Sequence, residues 1–235
     1  REDMSKEQNA LWCLLYTQAQ DKNRIEHTSD SLIQIAVKYY EKTNLKNRKM
    51  QAYYYCGRVF QDLNDALQAQ EYYLKAYEVG KDLDEYSLLG RLCANLGTLY
   101  TFQELYRPAL DFQKEAVNYF KQDKDTVGLS MALRNIARIY VCENQLDSAI
   151  TYYLKALSCT PDFYKFYYLN ELADTYSRIK DYQTGLFYAK DAYTRIKTTN
   201  DSCLVCLTLG DLYLKSGKTD SAYYYLSFCR KSTDI

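Results

Sequence analysis

Two prolines and eight glycines in 235 residues leave few points at which a helix must stop, which argues for helices over strands. A single histidine, His27, removes most nucleophile–base arrangements. It lies in the polar stretch QDKNRIEH and is expected to be solvent-exposed or to cap a helix. No glycine-rich phosphate loop occurs, and no apolar run approaches the roughly 20 residues that span a bilayer. Neither sign of charge is in excess, with 30 basic and 30 acidic residues, so nucleic acid is not an expected partner. The chain opens REDMSKEQNA, without an initiator methionine or a signal-peptide pattern, and a processed or excised N-terminus is expected.

The eight cysteines are spread singly except for Cys203 and Cys206 in CLVC. A metal site would need two further ligands, and no second CxxC or paired histidine supplies them. Reduced, mostly buried thiols are therefore expected, and neither a cofactor nor a catalytic residue is predicted. The chain is read as non-enzymatic, with a thiol redox sensor at Cys203 and Cys206 as the competing reading.

Tyrosine is what the chain has in plenty, 27 residues of it. Its placement is periodic. Small residues recur at Gly57, Gly97, Ala137, Ala173 and Gly210, separated by 40, 40, 36 and 37 residues. Three residues after each comes an aromatic: Phe60, Tyr100, Tyr140, Tyr176, Tyr213. Twelve after each comes Ala69, Ala109, Ala149, Gly185 or Ala222, and seven further on Ala76, Ala116, Ala156, Ala192 or Cys229. The residue before each small marker, the marker and the aromatic form one apolar stripe of helical period. The later small residues, seven apart, share a face of a second helix, where they let two helix axes approach closely. Polar turns such as QDLND, ENQLD and KSGKTD separate the two helices. Each unit is then a helical hairpin with one face it cannot bury alone, and stacking neighbours buries it.

These motifs resemble the tetratricopeptide repeat family, whose units are helical hairpins. The resemblance implies an all-α, right-handed superhelical solenoid of about six hairpins in one array over residues 1–235. A degenerate N-terminal hairpin is expected at 1–45, followed by repeats at 47–82, 86–122, 126–160, 162–198 and 200–231. A narrower resemblance, in TQAQDKNRIEHTSDSLIQIAVKYYEK and AYYYCGRVFQDLNDALQAQEYYLKA, is to the periplasmic repeat regions of membrane-anchored regulatory proteins of Bacteroides-type bacteria. It implies an extracytoplasmic location, a cytoplasmic one being the alternative, and a role as the sensory or scaffolding part of a larger signalling protein.

In such arrays the first helices line the inner face. Tyr54, Arg58, Arg91, Asn95, Phe102, Arg134, Asn135 and Arg138 are expected to project there and to bind a protein or peptide segment, acidic in character. The arginines offer planar forks for carboxylates, and Asn95 and Asn135 can bond a peptide backbone. Arg134 and Arg138 stand four apart, where like charges repel by a few tenths of a kcal/mol. An anionic ligand or an acidic residue on a neighbouring helix would offset that repulsion. The last hairpin carries Tyr223, Tyr224, Tyr225 and Phe228. Apolar surface there is expected either to be covered by polypeptide beyond Ile235 or to mediate homo-oligomerisation through Tyr224 and Phe228, the alternative to groove binding.

Overall fold

In the computed structural model each glycine marker sits under a side chain sixteen residues further on. A Cβ built on Gly57 would lie 2.5 Å from Cε1 of Tyr73, one on Gly97 2.7 Å from Gln113, and one on Gly210 2.5 Å from Leu226. The structure describes residues 4–196 and 199–232, with side chains except those of 199–201 and 229–232. The small residue at position 229 and the expected repeat boundary at 198 therefore lie outside the described side chains and residues.

Among the described residues the chain is all-α, with twelve helices, a single 3₁₀ turn at Asp162–Tyr164 and no strand. The helices pair as α1 (Lys6–Lys22) with α2 (Ser31–Tyr40), α3 (Lys46–Asp62) with α4 (Ala66–Gly80), and α5 (Tyr86–Phe102) with α6 (Tyr106–Asp123). Then come α7 (Thr126–Cys142) with α8 (Leu146–Cys159), α9 (Lys165–Arg178) with α10 (Tyr182–Thr194), and α11 (Thr199–Lys215) with α12 (Thr219–Ser232). The chain divides into two compact units, Arg1–Asp125 and Thr126–Ile235, of three hairpins each, where the sequence periodicity suggests one uninterrupted array.

Two devices hold every repeat-type hairpin. The first is an aromatic pair. The ring three after the marker packs on a ring fifteen after it: Phe60 on Tyr72, Tyr100 on Phe112, Tyr140 on Tyr152, Tyr176 on Tyr188 and Tyr213 on Tyr225. Centroid separations are 5.5–5.6 Å, and four of the five pairs are stacked. Such a pair adds ~0.5–1.5 kcal/mol beyond its buried area. The second device is the turn. Seven residues after each marker, Asn64, Glu104, Asn144, Lys180 and Gly217 take left-handed backbone with φ between 58° and 74°. The next N–H then reaches back to the carbonyl of the paired aromatic, as Asp65 N to Phe60 O and Leu105 N to Tyr100 O, both at 2.9 Å. This closes each first helix in a Schellman motif.

The tyrosine doublets divide their work within the hairpin. Tyr73 and Tyr153 are buried to 0% and 2% exposure, while Tyr72 and Tyr152 are partly buried partners in the ring pairs. Cys13, Cys56, Cys93 and Cys206 are buried free thiols, Cys159 and Cys203 are partly buried, and Cys142 is exposed.

Candidate binding faces of the two units

In the first unit two of the expected groove residues, Arg58 and Asn95, are already joined through Gln61 and Tyr73. Arg58 on α3 donates from Nε to Asp21 Oδ1 at 2.7 Å and from a terminal nitrogen to Gln61 Oε1 at 2.8 Å. Tyr73 donates its hydroxyl proton to the same Gln61 oxygen, and Asn95 Nδ2 donates to the Tyr73 hydroxyl at 3.2 Å. Arg58 also faces Asp62 at 3.7 Å. Arg58, expected to meet a bound segment, is instead paired with Asp21 on a neighbouring helix and Asp62 on its own. Tyr54, expected as a flanking platform, is 3% exposed, its ring set edge-on to Tyr55. Burial pushes its phenol up to about 12. The cause is its place on α3, which turns it toward Tyr73, 5.8 Å away between centroids. Arg91 is exposed and, among the described residues, bonds within its own helix, Nε to Ser87 O at 3.3 Å and a terminal nitrogen to Ser87 Oγ at 3.5 Å. Phe102, at 79% exposure, is an open aromatic surface of this unit.

His27 departs from its expected solvent-exposed or capping role. It is 6% exposed, and its Nδ1 lies 2.6 Å from Asp62 Oδ2. Its backbone N–H donates to the same oxygen at 3.1 Å. The long polar loop between α1 and α2 is thereby tied to the end of α3, since Asp62 can accept from ring and backbone together. Burial of the ring is affordable because both contacts are polar.

In the second unit Arg134 on α7 forms a two-pronged pair with Glu171 on α9, Nε to Oε2 at 2.7 Å and the second terminal nitrogen to Oε1. Its guanidinium also lies over the Tyr168 ring, 5.4 Å from the centroid. Burial works against the Arg134 charge, but Glu171 outweighs it and holds the guanidinium above its ordinary value. The repulsion from Arg138 is thus offset by an acidic residue on a neighbouring helix. Asn135 is partly buried on α7. Arg138 is exposed and, among the described residues, has no carboxylate within 4 Å.

Arg138 borders a cleft of about 400 Å³ formed by α7, α8, α9 and α11 of this unit. Val141, Asn170 and Leu204 line it as well. The Asp174–Arg178 pair, 2.9 Å apart, sits at the same cleft. Tyr153 lies at its base, and burial, followed by the negative charge of Glu171, raises its phenol. Asn170 stands three residues before the Ala173 marker, the place that Tyr54 and Arg134 hold in their repeats, and nothing in the sequence pattern marks it out.

Tyr224 and Phe228, the expected assembly residues, lie on α12 at 56% and 45% exposure with ring centroids 5.9 Å apart, beside Tyr223 at 77%. Cys206, part of the competing redox reading, is buried, and burial raises its thiol. Among the described residues no group of three His, Cys, Asp or Glu side chains could hold a metal ion, and no helix is long and apolar enough to cross a membrane.

With this geometry in place, comparison with known proteins bears on the fold. The tetratricopeptide repeat family model matches residues 132–163, the α7–α8 hairpin and the turn after it. No match was found among curated proteins. Solved structures share the fold across nearly the whole chain. The apo form of the quorum sensor NprR from B. thuringiensis matches with a TM-score of 0.79 at 18% identity, covering 95% of this chain and 64% of NprR. NprR in complex with its cognate peptide NprX matches with a TM-score of 0.65 at 18% identity, covering 96% of this chain and 66% of that one. PilF from Pseudomonas aeruginosa matches with a TM-score of 0.69 at 16% identity, covering 94% and 90%. The fold is that of tetratricopeptide-repeat solenoids.

Proposed function

We propose that this chain is a non-enzymatic interaction module that holds a protein or peptide segment against the exposed faces of its first helices. The observation that carries the reading is the set of polar and aromatic groups there that the fold leaves exposed and outside its ion pairs: Arg91 and Phe102 in the first unit, Arg138 with its cleft in the second. A structural neighbour, NprR, has been solved with a peptide bound, which supports the reading by analogy of fold. Arg58 and Arg134 support the scaffold, and recognition falls to the exposed groups. In the larger polypeptide we place the module as a sensory or scaffolding part on the extracytoplasmic side of a membrane, an assignment that protease accessibility in spheroplasts of the host tests.

The experiment is a peptide-display selection on the purified chain. Enrichment of related sequences that bind in solution supports the function, and a selection that yields no binder removes it. A second reading, self-assembly through α12, is favoured by the exposed Tyr223, Tyr224 and Phe228. Light scattering of the chain and of a Tyr224→Ser, Phe228→Ser variant tests it, since a monomer in both eliminates assembly.

A further inference from the structure

The first hairpin has a cleft of its own, lined by none of the residues of the candidate binding faces. Its volume is about 490 Å³, a size common among ligand pockets, and α1, α2 and the turn after α2 form its wall. Lys6 enters from the start of α1, Lys38 from the last turn of α2 and Lys42 from just beyond it. Ile35, exposed, and Tyr39, half-buried, supply apolar surface beside them.

The charge of this wall has one sign. Among the described residues no carboxylate lines it, and none lies within 4 Å of the three ammonium groups. Lys75 and Lys215 each meet an acid four residues earlier, both at 2.7 Å. At that spacing Lys42 has Lys38, a charge that repels it. Glu41, next to Lys42 in the chain, accepts instead from the Tyr53 hydroxyl on α3 at 3.1 Å. The neutral polar groups of the cleft are spare donors as well. Asn9 takes the Cys13 thiol on its oxygen at 3.9 Å, and its amide nitrogen has no acceptor among the described residues. The Tyr39 hydroxyl likewise makes no hydrogen bond among them. A wall of three unpaired cations and two spare donors is matched to an anion. Lysine, a point charge with rotatable donors, suits the tetrahedral oxygens of phosphate, whereas a planar carboxylate suits arginine's fork. The apolar side chains in the same wall call for an uncharged body attached to that anion.

We propose that this cleft binds a phosphate carried on an aliphatic body, the phosphate held by Lys6, Lys38 and Lys42 and the body laid on Ile35 and Tyr39. The phosphate belongs either to a free amphiphile or to the headgroup of an anionic lipid at a bilayer surface. The site is separate from the peptide-binding reading above, and failure of the peptide selection leaves it standing.

The probe is decyl phosphate below its micelle concentration, titrated calorimetrically into the full chain. Inorganic phosphate serves as the headgroup alone, and decyltrimethylammonium as the same body with the opposite charge. The expected result is saturable binding of decyl phosphate, at least tenfold tighter than inorganic phosphate, and no binding of the cation. A Lys38→Gln, Lys42→Gln double variant, changed at exposed positions, keeps its helical circular dichroism and binds at least tenfold more weakly. Lys6→Gln, on the other helix, weakens binding too, and decides alone should the double variant not fold. Cosedimentation with vesicles of phosphatidylglycerol and phosphatidylcholine, against phosphatidylcholine alone, distinguishes the sources. Lysine-dependent cosedimentation identifies a bilayer lipid, and decyl phosphate binding without it identifies a free amphiphile. Binding to neither decyl phosphate nor the anionic vesicles overturns the site. Binding that the lysine variants leave intact, or that the cation shares, overturns it as well, by showing only apolar adsorption. Inorganic phosphate bound as tightly as decyl phosphate removes the aliphatic body from the proposal and overturns it in this form.

Discussion

Glu104 offers a clean test of how the hairpins are closed. It is exposed at the turn between α5 and α6, with φ of 59°. Its N–H donates to Thr101 O at 3.0 Å, and the following N–H, of Leu105, donates to Tyr100 O at 2.9 Å. Among the described residues its side chain makes no hydrogen bond or ion pair. Holding an L-residue in the left-handed region costs roughly 1–2 kcal/mol. Glycine removes that cost but adds about 0.5–1 kcal/mol of chain entropy to the unfolded state. Glu104→Gly is therefore expected to stabilise the first unit by about 0.5–1 kcal/mol, whereas Glu104→Ala keeps the strain and leaves stability nearly unchanged. Urea unfolding followed by far-UV circular dichroism should place the glycine variant above the alanine variant, and thermal unfolding should give a melting temperature higher by about 1–4 °C. In a helix interior the order is reversed, with alanine more stable by about 1 kcal/mol. If Glu104→Gly is no more stable than Glu104→Ala, the left-handed closure is not what holds these hairpins. Gly217→Ala is the converse, at φ of 74° with nothing within 4 Å of the added Cβ, and should lose about 0.5–1 kcal/mol through backbone strain alone.

Tyr72→Ala removes the ring stacked on Phe60 and the acceptor for Gln34 Nε2 at 3.1 Å, and is expected to cost about 3 kcal/mol in chemical denaturation. Tyr72→Phe should recover most of that loss. Arg134→Met leaves Glu171 without its partner, and a double-mutant cycle with Glu171→Gln should return a coupling of about 1–3 kcal/mol; a value near zero would make the pair ornamental. Thiol titration of a Cys229→Ser background at pH 8 should find Cys142 reacting first. Cys56, whose thiol burial pushes up to about 12, remains a protonated, unreactive thiol until the protein unfolds.

The sequence made the hairpins legible because their determinants are local and repeat at fixed offsets. Gly57, Gly97 and Gly210 stood out as repeat markers on an apolar stripe, but that each lies under a side chain sixteen residues on, Tyr73, Gln113 or Leu226, is seen only in the folded chain. The aromatic partners Tyr72, Phe112, Tyr152, Tyr188 and Tyr225 also stood at a constant offset, fifteen from the marker, and counting at that offset would have found them. The candidate site was less legible. Whether an arginine is committed depends on a residue about one repeat away, such as Asp21 for Arg58 or Glu171 for Arg134, each 37 positions distant. The wheel of a single helix carries no trace of that pairing. His27 was misplaced for a similar reason, as its burial follows from Asp62, 35 residues further on.

The fixed offsets within each hairpin bear on how such a chain can change length. From the marker, the turn at seven, the small residue at twelve, the ring at fifteen and the small residue at nineteen keep their spacing through all five repeats, apart from the cysteine at the last of these positions. Successive markers nonetheless stand 40, 40, 36 and 37 residues apart. All of that variation falls in the connector between one hairpin's last small residue and the next marker. A hairpin thus behaves as a register-locked cassette, and insertions or deletions are absorbed by the joints between cassettes. Lengthening or shortening the protein by one whole cassette would leave every clasp and turn in the others in place, and the surface presented to a partner could be extended without redesigning any of its parts.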